Sequence, residues 1–404
     1  MTLRVLPAWT EDAEITRVRR SVLPAPAPAP MRVEVDLDAI ADNARAVQAR
    51  VGAGTGVLAM LKANAYGHGL APVATELDRD GTVAGFVVTS VVDALVLEGL
   101  RVARPIVCMP STWEGRHEEV LARGIVPVIG SHADLQRFAH VARRLPGRSR
   151  VHLKLDTGMA RLGIREDGIE EALALLRAAP WIAIDGVCTH LATADETDVS
   201  GTGRQLEAFA QMRARLLALG HRPAMTHAAN TAATWRHPRA RFDHVRTGIA
   251  LFGGDAPSGA RLAPALRFVT QIVQLRTVRA GETVSYGERW RAARPSVVAT
   301  LPVGYAQGYP RRGAGAEALV HGRHCPVIGT VCMEMMLVDV TDLARPAVGD
   351  EVVLLGDQGE ASIPVSAVAD RIDGIVEEIF CGLSREMPRE YVRRGRRTSL
   401  TGTS

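Results

Sequence analysis

The sequence predicts an α/β chain in two parts, an eight-stranded parallel (β/α)8 barrel of the TIM type followed by a mainly β domain. Three observations carry that expectation. Eight short apolar runs rich in β-forming residues recur over about 200 residues, with segments of helical spacing between them. Several of these runs end on a polar or charged side chain. From residue 264 onward the helical segments nearly stop, and strand-like runs follow one another through turns rich in Gly and Pro.

At 404 residues, 47% apolar and 23% charged, the chain exceeds one ordinary single-core domain and has a globular composition. Residues 1–30 read as an appendage. Their "LPAPAPAPM" can neither form a regular backbone ladder nor bury a core, which makes a flexible, semi-extended spacer. The start lacks the uninterrupted apolar centre of a secretion signal, and no apolar run reaches the roughly 18 to 20 residues that a membrane helix needs.

The barrel is expected over 31–263. "RVEVDLD" opens it as a short alternating strand over 32–37, the one element of that range that can belong to the β domain instead. The eight runs are "GVLAML", "GFVVTS", "RPIVCM", "IVPVIG", "RVHLKL", "IAIDGVCT", "AMTHA" and "FDHVRTGIALF". Helical spacing marks "DAIADNARAVQARV", "EEALALLRAA" and "GRQLEAFAQMRARLLALG", and this alternation suits a closed barrel better than an open sheet. The β domain, 264–392, holds "LRFVTQIVQLRTV", "PSVVATLPVGY", "CPVIGTVCMEMMLVDVT" and "GDEVVLLG".

Much of the net charge of +4 sits in "PREYVRRGRRTS", which lacks the interleaved aromatics of a nucleic-acid surface, so residues 393–404 read as a solvated basic tail. The five cysteines, Cys108, Cys188, Cys325, Cys332 and Cys381, form no C-x-x-C pair. Their odd number and scattered spacing point to free thiols in a reducing compartment, the cytoplasm.

In a parallel barrel the loops at the carboxyl ends of the strands form the active face. Lys62 closes the first run, Lys154 and Asp156 the fifth, His190 the sixth and His227 the seventh, while Arg246 lies in the eighth. Any one of these alone reads as a satisfied structural residue; together, at matching positions, they point to a site. A lysine amine, with a reference pKa of about 10.4, becomes a nucleophile toward an aldehyde when a low-dielectric or cationic setting disfavours its charge. "LAML" before Lys62 and "ANAY" after it predict such desolvation, against the bland reading of a lysine lying over the barrel rim.

"HAANTAATWR" places Asn230 and Thr231 where a helix begins, and "RTGIA" places Gly248 and Ile249 after a strand end. Free backbone N–H groups with a hydroxyl beside them suit a phosphate, although helix capping alone would account for Thr231. "VGAGTGV" precedes its strand rather than following it, so no dinucleotide site is expected there. No metal-ligand spacing such as H-E-x-x-H occurs.

Eight motifs in order carry a resemblance: "LKANAYGHG", "LKLDTGMARLG", "THLATADE", "HAANTAAT", "VRTGIALFG", "VSYGERW", "PVGYAQGYPRR" and "GTVCMEMMLVDVTD". Through them the sequence resembles the bacterial alanine racemases, pyridoxal 5′-phosphate enzymes of the barrel class called fold type III, from about residue 32 to 392. The resemblance implies that Lys62 carries the cofactor as a Schiff base. It places Tyr66, Thr231, Gly248 and Ile249 at the phosphate, with His190 and Asn230 also on the cofactor side. Arg246 matches an arginine against the pyridine nitrogen. A guanidinium cannot take up a ring proton, so it keeps the pyridine neutral and weakens the electron sink.

Racemisation needs a base on each face of a planar carbon. The resemblance assigns Lys62 to one face and Tyr286, in "VSYG", to the other, reaching in from the partner subunit of an obligatory homodimer. A phenol ionises at a reference pKa of about 10, and Arg246 with His190 would form the relay that helps it; the bland reading is a tyrosine anchoring a turn. Arg161 matches the residue holding the substrate carboxylate. Lys154 matches a lysine that many relatives carry as a carbamate, an anion able to orient Arg161. Met333 matches a second-subunit contact at the carboxylate, and Tyr305 a tyrosine lining the access channel.

Three positions depart from the family pattern. "GYAQG" has Gln307 where an acid is usual, "CMEM" has Glu334 and Met335 in place of "DQ", and "LSREMPREY" has Arg385 where relatives have a phosphate-contacting tyrosine. An arginine there can still bind phosphate but changes the size and charge of the pocket. The expectation is therefore a pyridoxal-phosphate-dependent amino-acid racemase with alanine as the leading substrate. The alternatives are a racemase of serine or of a broader range in a specialised pathway, a fold type III decarboxylase, and a non-catalytic homologue that binds the cofactor. The "VSYG" and "DTGMARLG" motifs favour racemisation over decarboxylation, and the second domain disfavours the non-catalytic barrels. Neither nucleic acid, membrane nor metal is an expected partner.

Overall fold

Each of the eight apolar runs becomes a strand of one closed parallel barrel in the computed structural model, which describes residues 30–254 and 262–399. After β1 (Met31–Asp36) the barrel strands are β2 (Gly56–Met60), β3 (Gly85–Val88), β4 (Ile106–Cys108), β5 (Val126–Ile129), β6 (Ser149–Lys154), β7 (Ile182–Cys188), β8 (Met225–His227) and β9 (His244–Thr247). Pairing of β2 with β9 closes the ring. Helices cover the outside while Leu58, Val87, Val107, Val126, Val128 and Cys188 fill the inside, so the strands are buried on both faces and read as continuous apolar runs.

Local chemistry starts the outer helices where the sequence allows a cap. Asp36, Ser90, Ser131 and Asn230 each accept a hydrogen bond from a first-turn amide of the helix that follows. The long helix Ser200–Ala218 buries Leu206, Phe209, Met212 and Leu216, one face at helical spacing.

Of the remaining strands, Thr283–Val284 pairs with Trp290–Arg291 in a separate two-stranded sheet, and the other eleven form one sheet. β1 lies in it, antiparallel to β10 (Leu266–Gln271) and parallel to the strand Arg389–Arg393, with Val33 and Val35 fully buried. The first strand therefore belongs to the β domain, and the chain enters the barrel only after it. The basic stretch read as a tail is, as far as Ser399, also part of this sheet: Arg396–Ser399 pairs antiparallel with Arg389–Arg393. The reason is electrostatic. Glu34, 4% exposed in β1, is ringed by Arg32, Arg267 and Arg397, so one of the supposed tail cations neutralises a buried carboxylate. Residues 400–404, and the Pro/Ala extension through residue 29, lie outside the described residues.

Two short helices, Val365–Arg371 and Val376–Gly382, interrupt the β domain and position the site. The second packs against the segment after β2, and a Cβ on Gly67 would stand 2.3 Å from the Phe380 carbonyl oxygen. Beside it the His68 ring stacks on Phe252 at 4.2 Å and meets Phe380 edge-on at 4.8 Å. Barrel and β domain thus share one apolar core at the barrel mouth.

Candidate active site

Lys62 leaves the end of β2 into a turn of unusual hand. Ala63, Asn64, Ala65 and Tyr66 have φ of 54°, 57°, 53° and 51°, a complete left-handed turn built of residues with side chains. Such a turn costs about 1–2 kcal/mol per residue and stands only where its surroundings fix it. Here Asn64 Oδ1 accepts from Leu70 N at 2.8 Å, His68 Nδ1 donates toward the Ala65 and Tyr66 carbonyls, and Arg389 Nε donates to Gly67 O at 2.7 Å. Composition signalled small residues but not this handedness. Only Asn64 is of a type that visits the region readily.

The turn brings Tyr66 across the barrel mouth to the amino end of the segment Ile249–Phe252. A Cβ on Gly248 would lie 2.1 Å from the Tyr66 hydroxyl oxygen, so glycine is required there for space. Gly248 N donates to Thr231 Oγ1 at 3.3 Å. Asn230 caps the helix Thr231–Arg236 through Ala233 N at 2.9 Å, so the capping role belongs to Asn230 and leaves the Thr231 hydroxyl on the cavity side. Burial raises the Tyr66 phenol above its ordinary pKa, which keeps it a neutral hydrogen-bond donor.

Lys62 is an exposed side chain in this cavity, its Nζ 5.4 Å from the Tyr66 ring centre. This corrects the expectation of a desolvated amine: the apolar run ends at buried Leu61, one residue earlier, and the lysine extends beyond it into the open mouth. Met60, Lys62, Tyr66, His190, Asn230, Thr231, Arg246, Gly248 and Ile249 face one cavity of about 490 Å³. Asp195 and Arg236 also line it, as do Ser366, Asp370 and Glu377 from the β domain. The sequence reading missed the last three because nothing in it shows that 365–382 folds back over the barrel.

Arg246 is buried to 3% exposure, and both of its terminal nitrogens are engaged. Nη1 donates to His227 O and His227 Nδ1, both at 2.9 Å. Nη2 donates to Thr189 O at 2.9 Å and Ala228 O at 3.0 Å and shares one of these hydrogens with His190 Nδ1 at 3.3 Å. Burial first, then the charges of Arg246, Lys154, Arg161 and Lys62, lowers the His190 pKa to about 3, so the ring is neutral. Because its Nδ1 accepts from the guanidinium, its proton is on Nε2. Lys154, 7% exposed at the end of β6, has its amine held below the usual range mainly by burial, with Arg246 and Arg161 adding to it.

The other expected residues stand elsewhere. Arg161 is exposed in the loop after β6 and Arg385 is exposed in the β domain; neither lines the cavity. Tyr286 is 70% exposed and Met333 58%, and both border a shallow depression with Ser285, Cys332, Glu334 and Met335. Tyr286 is firmly presented: Ser285 has φ of 65°, its Oγ donates to Thr330 O at 2.6 Å, and Thr330 Oγ1 donates to Tyr286 O at 2.8 Å. Tyr305 opens a short turn in which Gln307 Oε1 accepts from Gly304 N at 2.9 Å, so the departure from an acid keeps the acceptor that the turn needs. Within one chain, then, Lys62 and Tyr286 border separate concavities.

The cavity fits pyridoxal phosphate on its own geometry. A primary amine projects into it, and Gly248 makes a floor with no room for a side chain. The Thr231 and Tyr66 hydroxyls converge on that floor, and a buried guanidinium stands at the inner wall.

Residues 35–256 match the family model "Alanine racemase, N-terminal domain" and residues 265–391 match "Alanine racemase, C-terminal domain". An alanine racemase of Symbiobacterium thermophilum is 41% identical over 354 residues, 86% of this chain and 93% of its own length. One from Sorangium cellulosum is 41% identical over 346 residues, 82% of this chain and 90% of its own. Among solved structures, the alanine racemase of the D-cycloserine producer Streptomyces lavendulae superposes with a TM-score of 0.86 at 31% identity, covering 91% of this chain and 98% of that one. That of Bartonella henselae with covalently bound pyridoxal phosphate gives 0.82 at 28% identity, covering 90% and 100%.

Proposed function

This chain belongs to the alanine racemase family, and we propose that it interconverts L- and D-alanine with Lys62 and Tyr286 of the partner subunit as the two bases. It is a pyridoxal-phosphate-dependent isomerase of that family. When bound, the cofactor supplies an electron sink that acidifies the substrate α-carbon. The observation that carries the proposal is the cavity holding Lys62, Tyr66, His190, Thr231, Arg246 and Gly248, while Tyr286 stands exposed on the β domain of the same chain.

The residues divide the work by position. Gly248, Ile249, Thr231 and Tyr66 would hold the phosphate, and Arg246 would stand against the ring nitrogen. A guanidinium there donates a hydrogen bond without giving up a proton, which favours quick return of the α proton over other fates of the carbon. Lys62 Nζ takes or returns the proton on one face. His190, its proton on Nε2, donates to the phenolic oxygen of Tyr286 of the partner subunit and stabilises the phenolate that acts on the other face. Arg161 and Met333 of the partner subunit receive the substrate carboxylate. Lys154 orients Arg161 as a carbamate, a modification that its lowered amine pKa favours because the neutral amine is the form that takes up carbon dioxide.

Tyr286, Met333 and Met335 give the exposed apolar face that a homodimer covers, completing two sites at once. No helix among the described residues is long and apolar enough to cross a membrane. The five unpaired thiols support a cytoplasmic site of action. Circular dichroism over a panel of amino acids tests the substrate. Alanine should turn over fastest, and a strong preference for serine or another amino acid would replace alanine in this reading.

A further inference from the structure

The buried Arg246 guanidinium lacks a direct counter-charge. Among the described residues no carboxylate touches it, and its partners are three carbonyls and two imidazoles. A buried cation left uncompensated is costly, so the chain of donors leading away from it matters.

That chain runs in one direction. Arg246 Nη1 donates to His227 Nδ1 at 2.9 Å, and a nitrogen that accepts carries no proton, so the His227 proton is on Nε2. Nε2 lies 3.0 Å from His152 Nδ1, which must therefore accept and leave the His152 proton on its own Nε2. That nitrogen faces Asp185 Oδ2 at 3.8 Å, long for a hydrogen bond but close for a charge. Both rings are fully buried inside the barrel, and burial holds both pKa values down, so they are neutral. Asp185 lies at the middle of β7, with Arg150 on the same oxygen at 2.7 Å and His244 beside it. The backbone is shaped around this row. A Cβ on Gly186 would lie 2.5 Å from two atoms of the His152 ring, and the β6–β7 register shifts between Val151 and His152.

We propose that Asp185, acting through His152 and His227, is a positioning residue for Arg246. It fixes both imidazoles as Nε2–H tautomers through the row of donors and so holds Arg246 in register with His190 on the active face. The inference rests on the racemase reading of the cavity, but its first test does not.

Nitrogen-15 NMR of the histidine-labelled chain, without substrate, should show an unprotonated Nδ1 in both His227 and His152 at neutral pH. Asp185→Leu removes the acceptor at nearly constant volume. The His152 and His227 resonances should then change, and kcat for alanine should fall about tenfold or more with KM and cofactor absorbance held, the scale seen when an orienting carboxylate is lost from a histidine. Asp185→Glu should restore both. A wild-type His227 protonated on Nδ1 overturns the proposal, and so does an Asp185→Leu variant with unchanged kcat and spectra. If that variant does not fold, His152→Asn keeps an acceptor for His227 while cutting the link to Asp185. It should show the same loss of kcat, and unchanged turnover would overturn the inference. A wild-type chain with the stated tautomers but no alanine racemisation would instead refute the reaction and leave the donor row standing.

Discussion

The Tyr66 hydroxyl occupies the space that a side chain at Gly248 would need, with a Cβ there only 2.1 Å from the phenolic oxygen. Gly248→Ala must displace the ring, and the strained left-handed turn that carries Tyr66 has little freedom to follow. Overpacking of this kind costs about 1–3 kcal/mol. Cofactor affinity should fall about 10- to 100-fold, read by titrating the apo chain with pyridoxal phosphate and following the visible absorbance. Unaltered affinity would remove Tyr66 and Gly248 from the phosphate site.

Arg246 spreads two nitrogens over five acceptors, a geometry that a lysine cannot reproduce. Arg246→Lys keeps the charge but strands buried carbonyls of Thr189, His227 and Ala228, at about 1–3 kcal/mol for each group left unpaired. A melting temperature lowered by several degrees, together with a loss of racemisation larger than any loss of cofactor binding, is the expected result.

His68 makes stability depend on pH. It is fully buried, and burial lowers its pKa to about 4 from the usual 6.5. The unfolded chain therefore binds a proton that the folded chain refuses between about pH 6.5 and 4, so stability falls as pH drops through that window and is fully present above it. The contribution is on the order of 3 kcal/mol. Urea unfolding at pH 7 and pH 5 should register about 2 kcal/mol of it, the rest being lost toward pH 4. His68→Asn, which retains a donor toward the Ala65 and Tyr66 carbonyls, should flatten the dependence while lowering stability overall.

Glu34 and Arg397 test the folding of the basic end. Glu34→Gln leaves Arg32, Arg267 and Arg397 facing a neutral amide, and loss of a buried partner costs about 3–5 kcal/mol. Arg397 is about half exposed, so Arg397→Ala alone should cost less than about 1 kcal/mol. The Glu34 carboxyl is held below its ordinary pKa by hydrogen bonding and charge from these arginines, against the opposing effect of burial. Its stabilising contribution is therefore present above the usual carboxylate range and lost as pH falls through the folded value. Thermal melts of the two variants, and of a chain ending at Arg393, check the ordering.

The barrel was legible because period and position are local: each of the eight runs carries β-rich apolar residues, and each parallel strand is buried on both faces. Lys62, His190, Thr231, Arg246 and Gly248 were legible for the same reason, since strand ends and helix starts fix where they point. What escaped depends on distant partners. The left-handed turn after Lys62 is held by Leu70, His68 and Arg389, the last more than 300 residues away. The closing basic residues looked solvated because their buried carboxylate, Glu34, lies at the other end of the sequence. His227 showed only as a polar strand end; its place between Arg246 and His152 needs the barrel to close.

Lys62 and Tyr286 border separate concavities in one chain, and that separation gives the most direct test of a shared site. Lys62→Ala and Tyr286→Phe chains should each be nearly inactive, the second still binding pyridoxal phosphate because Tyr286 lies outside the cavity. In a mixed dimer, the Lys62 of the Tyr286→Phe chain would face the intact Tyr286 of the Lys62→Ala chain, so one of the two sites is complete. Random exchange of equal amounts makes about half the dimers mixed, so about a quarter of wild-type activity should return. The gain should track subunit exchange in time. Each variant alone must stay silent under the same dilution and reassociation. Recovery at that level requires the two residues to act across an interface, because no arrangement within a single chain regains activity from two separately damaged copies.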